Sequence, residues 1–314
     1  MRIVINPIIK LNIPAEVSRV TTVLREAGFE AYPVGGCIRD ALLGNKPKDW
    51  DVTTSAKPEN IIELFPKTFY ENKFGTVTIV NEEVWVEESL RHIEVTPFRL
   101  ESSYSDYRHP DEVSFSQNLS DDLKRRDFTV NAMAYNTETG ELIDQFGGVN
   151  DLQNKVIKAV GQAEERFGED ALRIMRAARL AIELGFTLNI DTAKAAKNKA
   201  ILLKEIASER IRDEFTKIIM SPHPEQGMEL LKELGIIELL FPELAAGFHM
   251  KQNGDHIYDV WTHTIRVLQH SADRNWPLHV RLSAIFHDVS KPETRRFSKE
   301  KGDYTSYGHD VVGG

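Results

Sequence analysis

The chain has 314 residues, of which 41% are hydrophobic and 28% are charged, which is the composition of a globular protein with room for about two domains. This composition excludes collagen-like and intrinsically disordered chains. The formal net charge of −9 argues against a general polyanion-binding protein, which would be basic overall. Because the sequence has neither a long apolar run nor a secretory signal, we expect a cytoplasmic protein with no membrane partner.

The first half of the chain mixes helical and strand patterns. Helical spacing predicts helices from Pro14 to Gly28, from Gly36 to Leu43 and near Pro58–Phe65. Runs of β-forming residues predict strands over Ala31–Val34, Trp50–Thr53, Thr76–Val80 and Val84–Phe98. This alternation indicates a mixed β-sheet flanked by helices.

From about Asp151 onward the pattern is helical almost throughout. Amphipathic runs cover Glu164–Leu184, Thr192–Ile206, Ser208–Met220, Pro224–Leu234, Val260–Ala272 and Pro277–Phe286. The change of pattern predicts an α+β protein with an N-terminal head over residues 1–150. An all-α neck is expected over 151–222, and a helical body over 223–314.

Two polar motifs lie close together in the predicted head. Gly35-Gly36 leaves a strand and enters a helix, a place where backbone N–H groups can hold phosphate, although a glycine pair alone is more often a tight bend. Asp49 and Asp51 flank Trp50 at the head of a strand, so strand periodicity puts both carboxylates on one face. An isolated Asp-x-Asp would be a solvated turn, but the glycine turn just upstream favours a site.

A third acid strengthens this interpretation. In the run around Glu94, the apolar residues Ile93 and Val95 face one way and Glu94 faces the other, where it can join Asp49 and Asp51. Three neighbouring carboxylates need divalent cations, and oxygen-only ligands select magnesium or manganese. Two such ions suit nucleotidyl transfer, in which a hydroxyl attacks a phosphate and pyrophosphate leaves.

Five polar segments occur in order along nearly the whole chain. They are Gly35-Gly36-x-x-Arg39-Asp40 with Asp49-Trp50-Asp51, then Arg125–Met133, Asp144–Leu152, Glu169–Arg173 and Ser208–Glu214. Together they resemble the motifs of bacterial-type (class II) CCA-adding tRNA nucleotidyltransferases and the related bacterial poly(A) polymerases. The resemblance implies addition of CCA to the 3′ end of a tRNA that lacks all or part of it, from CTP and ATP, without a nucleic-acid template and with magnesium as cofactor.

The resemblance also implies roles for single residues. Gly35, Gly36 and Arg39 shape the catalytic floor. Arg126 meets the triphosphate, Asp127 accepts from ribose hydroxyls and Asn131 bonds either group. The alternative for Arg125-Arg126-Asp127 is an exposed salt bridge at a helix start.

Asp170 and Arg173 correspond to the base-selecting motif of the family. Spaced three apart on the predicted helix, they present an acceptor beside a fork of donors, which complements cytosine and adenine but not uracil or guanine. A purely structural ion pair is the alternative. The stretch Arg99–Pro110 resembles the loop that the family uses to switch from cytidine to adenosine, which favours complete CCA addition over a CC-only enzyme.

The C-terminal region contains His263 and the adjacent pair His287-Asp288. Such a pair is the signature of the HD phosphohydrolase superfamily, which implies a transition-metal site for phosphoester hydrolysis. A further downstream aspartate normally completes the superfamily pattern, and here Asp310 directly follows His309. Because the chain ends in a segment that family members continue, we expect a partial HD-type region. A hydrolase with a nucleotide-sensing head, a poly(A) polymerase, a CC- or A-adding enzyme and a non-catalytic RNA-binding protein therefore remain alternatives.

Overall fold

The structure is a computed structural model that describes residues 9–71, 75–82, 87–101, 113–252 and 257–313. The chain divides into two compact units, Met1–Glu169 and Asp170–Gly314. Among the described helices, none combines the length and the apolar character needed to cross a membrane. The predicted α+β class is confirmed, whereas the predicted boundaries at residues 150 and 222 stay predictions.

The first unit holds most of the strands. Its elements in chain order are α1 (Ala15–Glu26), β1 (Ala31–Pro33), α2 (Gly36–Leu42), β2 (Trp50–Thr54), α3 (Pro58–Leu64), β3 (Thr68–Glu71), β4 (Thr76–Val80), α4 (Glu88–Arg91), β5 (His92–Pro97), β6 (Arg99–Glu101), β7 (Val113–Phe115), α5 (Leu119–Lys124), a 3₁₀ turn (Thr129–Asn131), β8 (Met133–Tyr135), β9 (Leu142–Asp144), α6 (Gly148–Gln153), β10 (Val156–Ile157) and α7 (Ala163–Glu169).

A five-stranded mixed sheet in the order β1-β2-β5-β4-β3 forms the centre of this unit. Strands β2 and β5 run parallel, and the other neighbouring strands pair antiparallel. Alternate residues of the central strands, among them Val52, Ile93 and Val95, are buried. Because side chains alternate along a strand, the residues between them are directed to the opposite face of the sheet.

The expected strand over Val84–Phe98 is partly wrong. Residues 83–86 lie outside the described residues, a single helical turn (α4) follows, and β5 begins at His92. The side-chain amide of Asn81 donates to the carbonyl of Leu90 at 2.6 Å, and its backbone N–H donates to the carbonyl of Arg91 at 2.9 Å. A buried side chain from the preceding strand end therefore holds this turn, and the local pattern does not reveal it.

The described residues of the second unit form helices apart from three short strands. Its elements are α8 (Leu172–Leu184), β11 (Thr187–Leu188), α9 (Ile190–Lys199), a 3₁₀ helix (Ala200–Glu205), α10 (Ser208–Met220), α11 (Pro224–Glu233), α12 (Ile236–Leu240), α13 (Pro242–Ala245), α14 (Val260–Asp273), α15 (Leu278–Phe286), α16 (Lys291–Thr294), β12 (Arg296–Ser298), β13 (Asp303–Thr305) and α17 (His309–Gly313).

The expected helix over Glu164–Leu184 is broken in two. Helix α7 ends at Glu169 and α8 begins at Leu172, with Asp170 between them. The Asp170 carboxylate accepts the N–H of Leu172 at 3.0 Å. A short acidic side chain competes in this way with continued helix and favours a new helix start. Asp170 and Arg173 therefore do not lie on one continuous helix, as the sequence pattern had indicated.

Candidate active site

Three carboxylates meet where β2 and β5 run side by side. In the parallel register Trp50 pairs with Ile93 and Asp51 pairs with Glu94. Trp50 and Ile93 are buried in the core, so Asp51 and Glu94 are directed to the other face of the sheet. Asp49, which is exposed, immediately precedes β2. The structure thus brings together the three acids that the sequence pattern had grouped.

The raised pKa of Asp51 indicates that nearby positive groups do not fully balance the negative charge of this site. Burial raises the pKa of Asp51 to about 6; the charge of Arg126 opposes this rise, and the charges of Glu94 and Asp49 add to it. A divalent cation would relieve this repulsion, and a set of oxygen donors suits magnesium or manganese. The residues present therefore fit the metal that the sequence predicts.

The glycine turn allows Arg126 to approach this cluster. Gly35 has a φ of +86°, a backbone conformation that favours glycine, and its N–H donates to the carbonyl of Met133 at 3.2 Å. A Cβ added at Gly35 would lie 2.8 Å from Nη1 of Arg126 and 3.8 Å from Oδ2 of Asp51. Because Gly35 has no side chain, the Arg126 guanidinium can lie close to this turn and to Asp51. The N–H of Gly35 already has an acceptor within the protein, the Met133 carbonyl.

The remaining predicted head residues form one hydrogen-bonded network. Nη1 of Arg39, on α2, donates to Oδ1 of Asn131 at 2.7 Å, and Nδ2 of Asn131 donates to Oδ1 of Asp127 at 3.2 Å. The same Asp127 oxygen accepts the N–H of Phe128 at 2.8 Å. Arg39 also pairs with Asp40 at 2.8 Å. Because Asp127 and Asn131 are buried and bonded, their polar groups have fixed directions.

Asp122 is a residue of this site that sequence reasoning missed. Its carboxylate is fully buried and pairs with Arg125 at 2.6 Å and with Arg126 at 3.0 Å. Burial raises the pKa of Asp122, but the two guanidinium groups outweigh burial and lower the pKa below its ordinary value. Asp122 thus orients Arg126. The spacing of four residues between an acid and a base was the available signal.

The segment Asp144–Leu152 is closely packed against the Arg39 network. The Asp144 carboxylate accepts the N–H groups of Gly148 and Val149 at 2.8 and 2.9 Å. The Thr129 hydroxyl donates to the Asp151 carboxylate at 2.6 Å. A Cβ added at Gly148 would overlap the Thr129 carbonyl oxygen. Only glycine therefore fits at this contact between α6 and the 3₁₀ turn.

The second unit holds the predicted base-selecting residues. Arg173 is the second residue of α8, and Asp170 precedes that helix. One oxygen of Asp170 accepts the Leu172 N–H, and the other lies 3.4 Å from Nη2 of Arg210 on α10. The sequence pattern did not indicate this partner, since 40 residues separate Asp170 from Arg210.

The HD-type residues form a separate cluster within the second unit. Nε2 of His263, on α14, lies 3.3 Å from Nε2 of His287, and Oδ2 of Asp288 lies 3.6 and 3.2 Å from these two nitrogens. The three residues can each offer one ligand atom, and these atoms lie within 4.8 Å of one another. The structure thus brings together the three residues singled out for a second metal.

Two further residues face the nearly buried Asp288. Nζ of Lys291 lies 2.7 Å from Oδ2 of Asp288, and Nε2 of His309 lies 3.5 Å from Oδ1. A hydrogen bond to Asp288 raises the pKa of His287. Burial raises the pKa of Asp288, but the hydrogen bonds from His287 and Lys291 outweigh it and hold that pKa well below its ordinary value. The cluster is therefore centred on an ionised carboxylate.

The chain is similar to known proteins over most of its length. Residues 31–158 match the family model described as the poly A polymerase head domain, and residues 185–248 match the model described as a probable RNA and SrmB-binding site of polymerase A. A CCA-adding enzyme of Lactobacillus helveticus is 48% identical over 220 residues, which are 70% of this chain and 53% of that protein. A CCA-adding enzyme of Streptococcus sanguinis is 46% identical over 235 residues, 74% of this chain and 57% of that protein.

A solved structure shows the same fold over most of the chain. The crystal structure of the Bacillus stearothermophilus CCA-adding enzyme in complex with CTP is 34% identical, with a TM-score of 0.66, and the match covers 87% of this chain and 69% of that chain. A tRNA nucleotidyltransferase complexed with a primer tRNA and an incoming ATP analog is 26% identical, with a TM-score of 0.60. The chain spans about half the length of the curated relatives that it matches.

Proposed function

This chain belongs to the family of CCA-adding enzymes and poly(A) polymerases, and we propose that it adds CCA to the 3′ end of tRNA from CTP and ATP, without a template and with release of pyrophosphate. The observation that carries the proposal is the direct pairing of Asp51 with Glu94 in the parallel register, beside Asp49 and Arg126. Since the proposed substrates are found there, we also propose a cytoplasmic location.

The experiment that tests this function uses a tRNA transcript that ends before CCA. The transcript is incubated with each nucleoside triphosphate alone and then with CTP and ATP together. We expect addition of two C residues with CTP alone and of the complete CCA with both. Incorporation of all four nucleotides with similar efficiency would contradict the proposal.

Asp49, Asp51 and Glu94 would hold two magnesium ions. When bound, magnesium would activate the tRNA 3′-hydroxyl and would offset the negative charge on the leaving pyrophosphate. The chain's own residues bind and orient the nucleotide. Arg126 is held by Asp122 with Nη1 directed toward Gly35, where it can meet triphosphate oxygens.

The network around Asn131 would orient the sugar. Ribose hydroxyls both donate and accept hydrogen bonds. The Asp127 carboxylate can accept from them, and the Asn131 amide can both accept and donate. Arg39 keeps the Asn131 amide in place through its 2.7 Å hydrogen bond. We propose that Gly35 and Gly36 form the floor beneath the triphosphate.

Base selection is assigned to Asp170 and Arg173. The carboxylate would accept the exocyclic amine of cytosine or adenine, and the guanidinium would donate to the adjacent ring nitrogen. Uracil and guanine present the opposite order of groups. We propose that the helical region, part of which matches an RNA-binding family model, binds the tRNA by shape.

Replacement of Arg173 by Ala is expected to lower selectivity for the correct nucleotides. Loss of a bidentate contact worth about 1–3 kcal/mol corresponds to roughly tenfold to a hundredfold in discrimination. CTP and ATP use should fall relative to UTP and GTP, as measured by kcat/KM for all four triphosphates. If the ratios stay constant while thermal stability falls, Arg173 has only a structural role.

The closest alternative is a poly(A) polymerase, which shares the head domain, followed by a CC- or A-adding enzyme. The loop over residues 99–110, which favours complete CCA addition, lies outside the described residues from 102 onward. Product length separates these activities, because a CCA-adding enzyme stops after three nucleotides, whereas a poly(A) polymerase continues with ATP alone.

We propose a second function for the cluster of His263, His287 and Asp288. Two imidazole nitrogens and a carboxylate are ligands typical of transition metals, and the three ligand atoms lie within 4.8 Å of one another. When bound, such a metal supplies activated water for hydrolysis of a phosphoester. His309 would add a further nitrogen beside Asp288.

Replacement of His287 by Ala is expected to abolish metal binding and any phosphatase or phosphodiesterase activity, while nucleotide addition survives. Bound cobalt, nickel and manganese are measured by elemental analysis after dialysis, together with hydrolysis of a phosphomonoester. The matched control is His270→Ala, which removes an exposed histidine of the same helix as His263. Equal metal content and hydrolysis in wild type and His287→Ala would exclude this site.

A further inference from the structure

The hairpin formed by β12 and β13 presents an aromatic patch, Phe297, Tyr304 and Tyr307, to solvent. Phe297 and Tyr304 lie directly opposite each other on the two strands, so their rings share one face of the hairpin. The ring centroids are 5.4 Å apart in an edge-to-face arrangement. Phe297 is 57% exposed, Tyr304 44% and Tyr307 70%. Single exposed apolar residues are common, whereas a cluster of exposed rings is typical of an interaction surface.

Cations lie against two of these rings. Cζ of Arg295 lies 4.2 Å from the centroid of the Tyr304 ring, and Nζ of Lys301 lies 5.2 Å from the Tyr307 centroid. Nε of Arg295 is buried and bonds to no acceptor among the described residues. Since no described carboxylate pairs with Arg295 either, the ring of Tyr304 is its main partner.

The hairpin is basic within an acidic chain. From residue 295 to residue 307 there are four basic and two acidic residues, whereas the whole chain has a net charge of −9. None of the four cations forms an ion pair with a carboxylate in the described part of the chain. These cations are Arg295, Arg296, Lys299 and Lys301. Unpaired cations beside exposed rings complement a polymer that carries both negative charge and flat groups, and a nucleic-acid strand is such a polymer.

Both ends of the hairpin are fixed by side-chain hydrogen bonds. The Ser306 hydroxyl donates to the carbonyl of Lys291 at 3.1 Å, and the Ser290 hydroxyl donates to the carbonyl of His309. At the turn, the N–H of Lys301 donates to Oγ of Ser298 at 3.3 Å. Aromatic side chains on a fixed backbone have few torsions to order, so a ligand can bind them at a low entropic cost.

We propose that the β12–β13 hairpin binds single-stranded RNA, with unpaired bases stacked on the aromatic patch and phosphates held by the four cations. Any base can stack on an exposed ring, and a duplex hides the faces of its bases, so the surface should select unpaired strands. RNA is the nucleic acid that we favour because residues 185–248 of the same unit match a family model for RNA binding. The alternative is that the rings only stabilise their own two strands.

The test measures binding of a fluorescein-labelled, unstructured RNA octamer by fluorescence anisotropy, without nucleoside triphosphates. In one variant Phe297→Leu and Tyr304→Leu are combined, which keeps apolar contact between the strands and removes both rings. We expect Kd to rise about tenfold or more, because stacking contributes to the binding of each base. An abasic oligomer of the same length, which has phosphates but no bases, should bind wild type and variant equally.

The matched control is Phe69→Leu, the same substitution at an exposed ring on β3 of the first unit. It should leave the affinity for the RNA octamer unchanged. A wild-type chain that binds the octamer without its affinity depending on the hairpin rings would indicate that the strand binds elsewhere, and that result would overturn the inference.

A second variant tests the cations and does not depend on packing between the strands. Lys299→Gln and Lys301→Gln are combined in the exposed turn between β12 and β13. Each phosphate contact to a single strand contributes about 0.7 to the slope of log Kd against log salt concentration. We expect the slope to fall by about 1 in this variant, and an unchanged slope would contradict the proposal.

Three further results would overturn the inference. The first is an equal loss of affinity for the RNA octamer and for the abasic oligomer in the leucine variant. The second is tighter binding of an RNA duplex or of the corresponding DNA octamer. The third is a change from dimer to monomer in the leucine variant at constant RNA affinity, which would assign the patch to a second copy of the chain. Because no triphosphate is present, each result is independent of CCA addition.

Discussion

Asp51→Asn is expected to reduce nucleotide addition by about a thousandfold or more, because a metal ion contributes several kcal/mol to stabilisation of the transition state. The substitution keeps the size of the side chain and removes only its charge. Single-turnover addition of CMP, in magnesium, measures the effect. The control is Glu63→Gln, which removes an exposed acid from α3 in the same unit.

The same substitution should stabilise the protein when divalent ions are removed. Folding raises the pKa of Asp51 from 3.8 to about 6, so above pH 6 the ionised carboxylate reduces the free energy of unfolding. In EDTA at pH 7 we expect a higher Tm for Asp51→Asn than for the wild type. The difference should shrink as the pH falls from about 6 to 3.8, where the wild-type group becomes protonated in both states. Near-normal activity, or a lowered Tm in EDTA, would contradict the carboxylate cluster.

Gly148→Ala is expected to destabilise the first unit by about 2–4 kcal/mol. The added Cβ would overlap the Thr129 carbonyl oxygen and lie 2.9 Å from Sδ of Met133. A backbone atom cannot move aside as the end of a flexible side chain can, so the contact between α6 and the 3₁₀ turn must open. Thermal unfolding measures the effect, with an expected fall of roughly 5–10 °C in Tm.

Gly168→Ala is the matched control for this prediction. Gly168 lies within α7, and a Cβ at this position would meet nothing within 4 Å. Alanine favours helix over glycine by about 0.5–1 kcal/mol, so this variant should be neutral or slightly more stable. A similar loss of stability in both variants would show that the close approach at Gly148 is not the cause.

The elements of the fold that follow from local pattern were predicted well. Strand β4 and helix α10 have the predicted bounds, and β2 and α14 differ from prediction by a single residue. Alternation of apolar and polar residues identifies the strands, and helical spacing identifies α14. The short strands β3, β12 and β13 were missed because a few residues do not establish a period.

Polar side chains also ended or redirected elements in ways that the pattern did not reveal. Asp170 interrupts the run over Glu164–Leu184 by accepting the N–H of Leu172, and Asn81 holds the single turn of α4. Each effect depends on a hydrogen bond between one side chain and one backbone group. Hydrophobic periodicity contains no information about such bonds.

The types of group in each site could be read from the sequence. The acids Asp49, Asp51 and Glu94 could be identified from residue type, spacing and strand alternation, and the set of His263, His287 and Asp288 from its resemblance to the HD superfamily signature. The partners of these groups became visible in the folded chain. The parallel register places Glu94 beside Asp51, the buried Asp122 orients Arg126, and Arg210 reaches Asp170 across 40 residues of chain. Such contacts depend on how separate elements pack, and spacing along the chain cannot specify the distance between residues on different elements.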